Sequence, residues 1–506
     1  MIYLAIIEAY NLTTSAVETL RFCTGPGYID EGSGDYYEPR IEQPASMRRD
    51  IFQDGQIGGA ASASYGELTL INADGELDYL TGYAFDGRSL NLKVGEQGAA
   101  FSSFTTIIYA TIQQAAFEEL RISIRLRDRM AELDKPVQPN RYGGTNSLPA
   151  GVDGTSELKD APKPKLFGRV SNVTPVLVNS ARLIYQVNDG PIENVVNVFD
   201  KGTYLARGNS YADQADMEAN APAAGYYRVW QAGGMFRLGG SPAGLVTCTA
   251  WSSWDIADCT AAQIAYDLVI GAGISSGDTY SADRTTLDSQ NAGSIGLWVT
   301  DGLTVAEALD RVSASVGAWW GFDRLNRFRM ARLDAPSGAS VATLTQIEIV
   351  SLERQAATIN GNATPVWQVT LGHDVNWTVQ TSDNLAGIVP DDRRAWLAAG
   401  SRQVKATDAA VKTKHPLAQD VMYETLLAGD NYGDPEAARR LSLLKAERVI
   451  LTAKVQVDAD LLYLLDLGVV VTVQYPRYGL AAGQQFRIIG IETDFAHDQV
   501  ILSLWG

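Results

Sequence analysis

Histidine and cysteine, the residue types that most often hold metals, are few and scattered in this sequence. The three histidines, His373, His415 and His497, fit neither H-x-x-x-H nor H-E-x-x-H spacing, which argues against a zinc hydrolase. His373 lies beside Asp374 at the predicted end of a strand, and we interpret it as a structural histidine. No metal or cofactor is predicted from these residues.

The cysteines favour a structural interpretation as well. Cys23, Cys248 and Cys259 are too few for a disulfide framework or a four-thiolate metal site. We expect them to behave as small buried hydrophobic residues. The sequence also contains neither a G-x-S-x-G nucleophile elbow nor a Walker phosphate loop, and its glycine-rich stretch Gly233–Gly240 is interpreted as a bend between strands.

Carboxylates leave one enzymatic alternative open, a glycan hydrolase, because that chemistry needs only two acidic groups about 5 to 9 Å apart. With 59 acidic residues, pairs such as Glu118-Glu119 or Asp391-Asp392 arise by abundance alone. Neighbouring residues of a strand also face opposite sides. Four tryptophans are candidates for a sugar-binding surface, although packing in a core or interface is favoured: Trp251, Trp254, Trp319 and Trp320. We predict no catalytic residues, and keep the hydrolase and a carbohydrate-binding adhesin as alternatives.

Composition indicates an ordinary globular chain. Its 506 residues are enough for about three or four domains, and the fractions of hydrophobic (46%) and charged (20%) residues argue against extensive disorder. The formal charge of −18 argues against tight binding to a phosphate backbone. Glu8 ends the apolar start of the chain, which therefore predicts a first strand rather than a signal peptide. No apolar stretch is long enough to span a membrane, and we expect synthesis in a cytoplasm.

The pattern of strands predicts a mainly β protein with α+β parts. Residues 1–133 form a first β block, in which Leu120–Arg127 alternates apolar residues with Arg121, Ser123, Arg125 and Arg127. Residues 134–165, rich in proline and glycine, are predicted to be an extended linker. Residues 166–345 predict a mixed α+β middle region, and 346–506 a block of helices and closing strands. The expected architecture is therefore two small antiparallel β-barrels flanking the middle region.

Capping signals locate the helices of the middle and last blocks. Thr260 and Thr304 are predicted N-caps, the latter with Glu307 in a capping box. Between Asp391 and Leu427 we expect helical structure, followed by a helix capped by Asp434 with Arg440 on its outer face. The closing strands are predicted within Val449–Val457, Val469–Val473, Phe486–Ile491 and Val500–Leu504.

Stretches spread along most of the chain resemble one family, the baseplate hub proteins at the tail tip of long-tailed bacteriophages and gene-transfer particles. Those of the opening block are Tyr37–Arg40, Met47–Phe52, Leu70–Asp78 and Phe85–Arg88. The passage to the middle region supplies Asn140–Thr145, Lys163–Val170 and Asn172–Val178. Those of the closing block are Trp367–Gly372, Asn376–Gln380, Phe486–Ile491 and Leu502–Gly506.

The resemblance implies a structural role at a virion tail tip. Two barrels from each chain of a homotrimer would form a pseudo-sixfold ring around a DNA exit channel. The ring would join the distal tail or tail-tube proteins and the tape measure protein to the central fibre or receptor-binding proteins, and DNA would pass without specific binding. Some relatives carry a cysteine-ligated iron–sulfur cluster, but the three separated cysteines depart from that pattern and we do not transfer it.

Overall fold

The computed structural model describes residues 1–51, 58–356 and 365–506. Phe52, the last residue of one stretch that resembles the hub family, lies outside the described residues. Strands are the main element throughout, arranged in several sheets, so the prediction of a mainly β protein is confirmed. None of the helices in the described ranges has the length and hydrophobicity needed to cross a lipid bilayer.

Thirteen strands are described in the first block. They are β1 Ile2–Asn11, β2 Ala16–Cys23, β3 Tyr28–Ile29, β4 Tyr36–Pro39, β5 Ile41–Gln43, β6 Met47–Asp50, β7 Gly59–Ala60, β8 Ser62–Tyr65, β9 Leu68–Ile71, β10 Tyr83–Ala84, β11 Ser89–Gly95, β12 Thr105–Phe117 and β13 Arg121–Arg127. All except β6, β7 and β8 belong to one N-terminal sheet, in the order β3-β4-β2-β1-β11-β12-β13-β9-β5 with β10 beside β1.

The middle region contains two five-stranded sheets and a hairpin. Its strands are β14 Lys165–Val173, β15 Val176–Asn179, β16 Ile184–Gln186, β17 Asn194–Asp200, β18 Thr203–Tyr204, β19 Ala206–Arg207, β20 Tyr226–Trp230, β21 Met235–Leu238, β22 Val246–Trp251, β23 Gly296–Val299, β24 Ala318–Phe322 and β25 Phe328–Arg332. The sheet orders are β18-β17-β22-β14-β23 and β15-β16-β21-β20-β19, and β24 pairs with β25 and β7.

The last block forms a C-terminal sheet and a smaller one. Its strands are β26 Thr343–Leu344, β27 Ile349–Ala356, β28 Val366–His373, β29 Arg402–Thr407, β30 Gln419–Glu424, β31 Val449–Gln456, β32 Val470–Val473, β33 Gln484–Asp494 and β34 Gln499–Trp505. The C-terminal sheet has the order β26-β32-β33-β34-β31-β27, and β6 and β8 join it through β33. All four predicted closing strands are therefore confirmed.

Eight α-helices lie among the described residues. They are α1 Gln214–Ala219, α2 Ala261–Gly271, α3 Ser281–Gln290, α4 Val305–Ser315, α5 Asp391–Leu397, α6 Ala409–Lys414, α7 Gly433–Leu444 and α8 Ala459–Leu464. Thr260 and Thr304 cap α2 and α4 as predicted, and Thr304 and Glu307 form a complete capping box. Helices α1 to α4 lie between strands of the middle region, as expected for a mixed α+β fold.

The prediction of two closed barrels is not confirmed. In the described part of the chain, the strand path of neither terminal sheet closes on itself. The predicted domain bounds remain predictions, but strand pairing crosses them, because β6 pairs with β33 and β7 pairs with β24. The segment 134–164 contains one short 3₁₀ turn, Ser156–Leu158, and isolated bridges. It is anchored by Tyr142, which is buried and donates to Gln186.

Three local predictions in the last block are wrong. The expected helical stretch is broken into α5, β29, α6 and β30, because β29 and β30 pair on either side of β28 and tertiary pairing overrides local propensity. Asp434 lies inside α7, whose N-cap is Tyr432, and Arg440 is 1% exposed rather than on the outer face. In the first block, Leu120 precedes β13 and is exposed, while Ile122 and the alternate apolar residues after it are buried.

Candidate functional site: the junction of the terminal sheets

The beginning and the end of the chain are joined through one hydrophobic core. Buried residues of the N-terminal sheet, such as Ile7 and Leu92, belong to the same cluster as Leu451 and Leu502 of the C-terminal sheet. Burial of apolar surface is the main favourable term in folding, and here it is shared between the two sheets. The terminal sheets therefore form one packed unit.

Strand β6 carries the first block into the C-terminal sheet. Arg49 of β6 is paired with Ile491 of β33 in an antiparallel ladder, and on its other side β6 pairs with β8. Thr493 fixes the end of this ladder: its Oγ1 accepts from the Met47 amide at 2.8 Å and donates to the Met47 carbonyl at 3.2 Å. The connection is thus made by main-chain pairing as well as by side-chain packing.

A cluster of buried charges lies at this junction. Arg49 is 3% exposed and forms an ion pair with Asp466, which lies two residues after the end of α8. Arg324, from the turn between β24 and β25, donates to the carbonyls of Leu462 at 3.0 Å and Tyr463 at the end of α8. A cation at a helix C-terminus complements the helix dipole. Burial disfavours the Asp466 carboxylate, but Arg49 and Arg324 outweigh burial and lower its pKa.

A second buried network joins α4 to α7. Glu436 is 2% exposed and accepts from Arg439 at 2.6 and 2.8 Å and from Arg440 at 2.7 Å. Arg440 Nη2 donates to the carbonyls of Ala314 and Ser315 at the end of α4. Burial lowers the pKa of Arg440. These groups satisfy one another, which makes the network structural.

The three histidines are not brought together. His373 is 3% exposed in β28, and its Nδ1 has no hydrogen-bond partner among the described residues. His415 contacts Glu447 at 3.0 Å, and the exposed His497 contacts Asp494 at 2.9 Å. Within the described ranges, no group of three or more His, Cys, Asp or Glu side chains is placed to hold a metal ion.

The three cysteines are buried and free, as predicted. Burial raises the pKa of all three thiols, that of Cys23 to about 11. Such thiols are protonated at neutral pH and are therefore poor nucleophiles and poor metal ligands.

The carboxylate pairs and tryptophans considered for glycan chemistry do not form a cleft. Glu118-Glu119 lies in the exposed turn after β12, and Asp391-Asp392 begins α5 on the surface. Trp319 and Trp320 are buried, and Trp320 Nε1 donates to Asp310 at 2.8 Å. Trp251 and Trp254 contact each other edge to face, with Trp254 exposed. The four rings therefore do not present one open surface.

Two of the three arginines on the polar face of β13 form ion pairs within the chain. Arg121 pairs with Glu42, and Arg125 pairs with Glu67 at 2.8 Å. These pairs are solvent-exposed, and such pairs contribute little to stability. They bind β13 to the neighbouring segments of the N-terminal sheet.

Sequence reasoning missed the junction of the terminal sheets. Arg49 stood within a stretch that resembles the hub family, but nothing near it in the sequence indicated Asp466 as its partner. The i, i+4 spacing of Glu436 and Arg440 was a readable signal for an ion pair, although not for its burial.

Comparisons with known proteins return similar folds only. No family model and no curated protein matches the chain. A 43 kDa tail protein of prophage MuSo2 from Shewanella oneidensis is 12% identical over 99% of this chain and 98% of that chain, with a TM-score of 0.41. A tail protein from Neisseria meningitidis MC58 is 11% identical over 100% and 96%, with a TM-score of 0.43.

A chain of the native gene transfer agent virion is 14% identical over 69% of this chain and 84% of that chain, with a TM-score of 0.43. These are tail or virion proteins, and none of the three is described as a baseplate hub. TM-scores below 0.5 at such identities do not establish a family or a function for this chain.

Proposed function

We propose that the protein is a structural component of a phage-like virion tail, the baseplate hub at the tail tip, and that it has no enzymatic role. It would be made in the host bacterial cytoplasm and assemble as a homotrimeric ring. The ring would join the tail tube and tape measure protein to the central fibre and receptor-binding proteins and enclose the DNA exit channel. The proposal starts from the stretches that resemble the hub family and from their order along the chain.

The structural observation that carries the proposal is the junction of the terminal sheets. In the hub family, two β modules of one chain must lie side by side if three chains are to build six similar positions. In this chain the terminal sheets share a core, and β6 pairs directly with β33. Two β modules packed side by side in one chain are the arrangement that such a ring requires.

A ring also needs a contact between unlike surfaces of neighbouring copies. Each terminal sheet ends in an edge strand with exposed apolar residues. At the C-terminal sheet, β27 is an edge strand, with Ile347 85% exposed beside it and Val350 56% exposed within it. At the N-terminal sheet, the edge strand β3 and its neighbour β4 expose Ile29 and Tyr36. We propose that the β27 edge of one copy contacts the β3 edge of the next copy.

The charge of −18 fits a channel through which DNA slides without binding. Tight binding to DNA depends on clustered cations that release counterions from phosphates. We therefore propose a lumen that is acidic or neutral. A cationic lumen in an imaged ring would contradict this part of the proposal.

The deciding experiment is the mass of the purified chain by multi-angle light scattering, followed by electron microscopy of the oligomer. We expect a species with three times the 54.6 kDa mass of one chain and a central opening. Because hubs can require the tail for assembly, the same chain is also mixed with its neighbouring tail proteins. A protein that stays monomeric alone and in that mixture would overturn the hub proposal.

A further inference from the structure

A small lobe with its own core packs against the β17–β18 hairpin. Leu385, Val389 and Leu397 form this core, separate from the larger clusters of the chain. The lobe is bound to the hairpin by main-chain and side-chain contacts: the Ala386 amide donates to the Lys201 carbonyl at 2.9 Å, and Arg393 Nε donates to the Gly202 carbonyl at 3.1 Å. Gly202 has a φ of +78°, and a side chain there would meet the lobe core.

A cavity of about 480 Å³ lies between the lobe and the hairpin, and we call it the Tyr204–Trp396 pocket. Its walls combine two aromatic rings, two arginines and a rim that includes apolar residues. They include Thr203, Tyr204, Ile388, Asp392, Arg393 and Trp396. Small-molecule sites are typically cavities of this size, largely apolar with a few polar groups.

Arg393 is the central charged group of the pocket. Its guanidinium lies 3.8 Å from the ring centroid of Phe199 and 5.1 Å from that of Tyr204, a cation–π arrangement that holds it in place. In the described ranges no ion pair joins it to a carboxylate, whereas Arg402, also in the wall, pairs with Asp374 at 2.9 Å. Burial of the guanidinium lowers the pKa of Arg393. A bound anion would compensate this partly buried charge, which no ion pair within the described ranges neutralises.

Three polar atoms of the pocket walls are buried without a hydrogen-bond partner among the described residues. They are Thr203 Oγ1, Arg393 Nη2 and Trp396 Nε1. Buried polar groups are normally paired, and an unpaired one calls for an explanation. Tyr204 and Ile388 at the rim are 60% and 78% exposed, so the mouth of the pocket faces solvent.

From these features we infer that the Tyr204–Trp396 pocket binds a saccharide unit that carries a carboxylate. The aromatic rings would cover the apolar face of a sugar, and Arg393 would pair with its carboxylate. The pocket lining also includes the carboxylate of Asp392, which is exposed at the rim. Its negative charge would repel a multivalent anion such as phosphate. The inference concerns ligand binding by the single chain and does not depend on the proposed tail role.

The test titrates the intact chain with glucuronate, galacturonate and N-acetylneuraminate, using saturation-transfer NMR and calorimetry. Glucose, acetate and inorganic phosphate serve as reference ligands. We expect at least one acidic sugar to bind with a Kd of about 1 mM or tighter, a range typical of small single-site ligands. Glucose and acetate are expected to bind at least about tenfold more weakly.

Tyr204→Ala is the decisive variant, because Tyr204 is largely exposed and its loss leaves the lobe core intact. Tyr226→Ala, at another exposed tyrosine of the middle region, is the matched control. We expect Y204A and Arg393→Gln to weaken acidic-sugar binding about tenfold or more and Y226A to leave it unchanged. Binding of none of the three sugars, binding that Y204A does not weaken, or equal binding of phosphate would overturn the inference.

Discussion

The hydroxyl of Tyr3, on the first strand, donates a 2.8 Å hydrogen bond to Oδ1 of Asp498, in the turn before the last strand. The Tyr3 ring also packs on Phe495, with 5.3 Å between ring centroids, and the N-terminal ammonium lies 3.5 Å from Asp498. One buried side chain thus connects the two ends of the sequence. This contact is the simplest probe of the junction.

Tyr3→Phe keeps the ring and removes the hydroxyl. We expect the free energy of unfolding to fall by about 1 kcal/mol, the usual net value of one hydrogen bond, because the partly exposed Asp498 regains water. Urea denaturation followed by circular dichroism measures the change. Tyr109→Phe, at an exposed tyrosine of β12, is the control and should change little. A Tyr3 variant as stable as the wild type would mean that this contact does not stabilise the junction.

Buried tyrosines predict a loss of stability at alkaline pH. Burial and Asp498 raise the pKa of Tyr3, and burial raises that of Tyr227 to about 12. Above a pH of about 10 the unfolded chain loses these protons while the native chain keeps them, so stability falls as pH rises, by up to about 1.4 kcal/mol per pH unit for each tyrosine. Denaturation between pH 8 and 11 should show this slope, and it should be smaller in Tyr3→Phe.

Asp466→Asn tests the buried charge cluster. Removing the carboxylate leaves Arg49 buried without its partner, and we expect a loss of about 3–5 kcal/mol at neutral pH. The lowered pKa of Asp466 stabilises the native state above about 3.9, and this contribution is lost as pH falls through the lowered value. The acid limb of a stability–pH curve should therefore be flatter in the variant.

The control for this substitution is Asp74→Asn, which removes the partner of Arg40 in a pair whose carboxylate is half exposed. An exposed pair contributes little to stability, so this variant should lose far less stability than Asp466→Asn. If the two variants lose equal stability, the junction cluster is not a special stabilising feature.

Glu436→Gln tests the link between α4 and α7. Two arginines would share a neutral amide in place of a carboxylate, and we expect a loss of about 3–5 kcal/mol in unfolding experiments. Glu447→Gln, at an exposed pair with Lys414, should lose far less stability than Glu436→Gln. A Glu436 variant with wild-type stability would show that the network does not hold these helices together.

Ile347→Asp tests the proposed contact between copies. A charge at this edge should be harmless in the monomer, where Ile347 is 85% exposed, but should weaken the trimer at least about tenfold, because an unpaired charge in an interface is costly. Sedimentation velocity over a range of concentrations measures the shift. Ile388→Asp, at a 78% exposed isoleucine of the small lobe, should leave the mass distribution unchanged. Equal behaviour of the two variants would remove this edge from the interface.

Local patterns predicted β13, the four closing strands and the starts of two helices. The alternation after Arg121 predicted β13, and the Thr304–Glu307 box predicted the start of α4, because period and capping depend on residues close in the chain. The same reasoning failed for Arg440. Its charge indicated the surface, whereas partners from α4 and Glu436 make its burial possible.

By itself, the sequence determined a mainly β chain with buried cysteines, no recognisable catalytic motif and a residue-level resemblance to tail hubs. The tertiary structure decided what lies beside what: β6 in the C-terminal sheet, Asp466 beside Arg49, and Tyr3 against Asp498. It also assembled the Tyr204–Trp396 pocket from a hairpin and a lobe that are far apart in the chain. Arg393 and Gly202, which are in contact there, are separated by 191 residues. Such pairings depend on long-range packing, and no local period or motif records them.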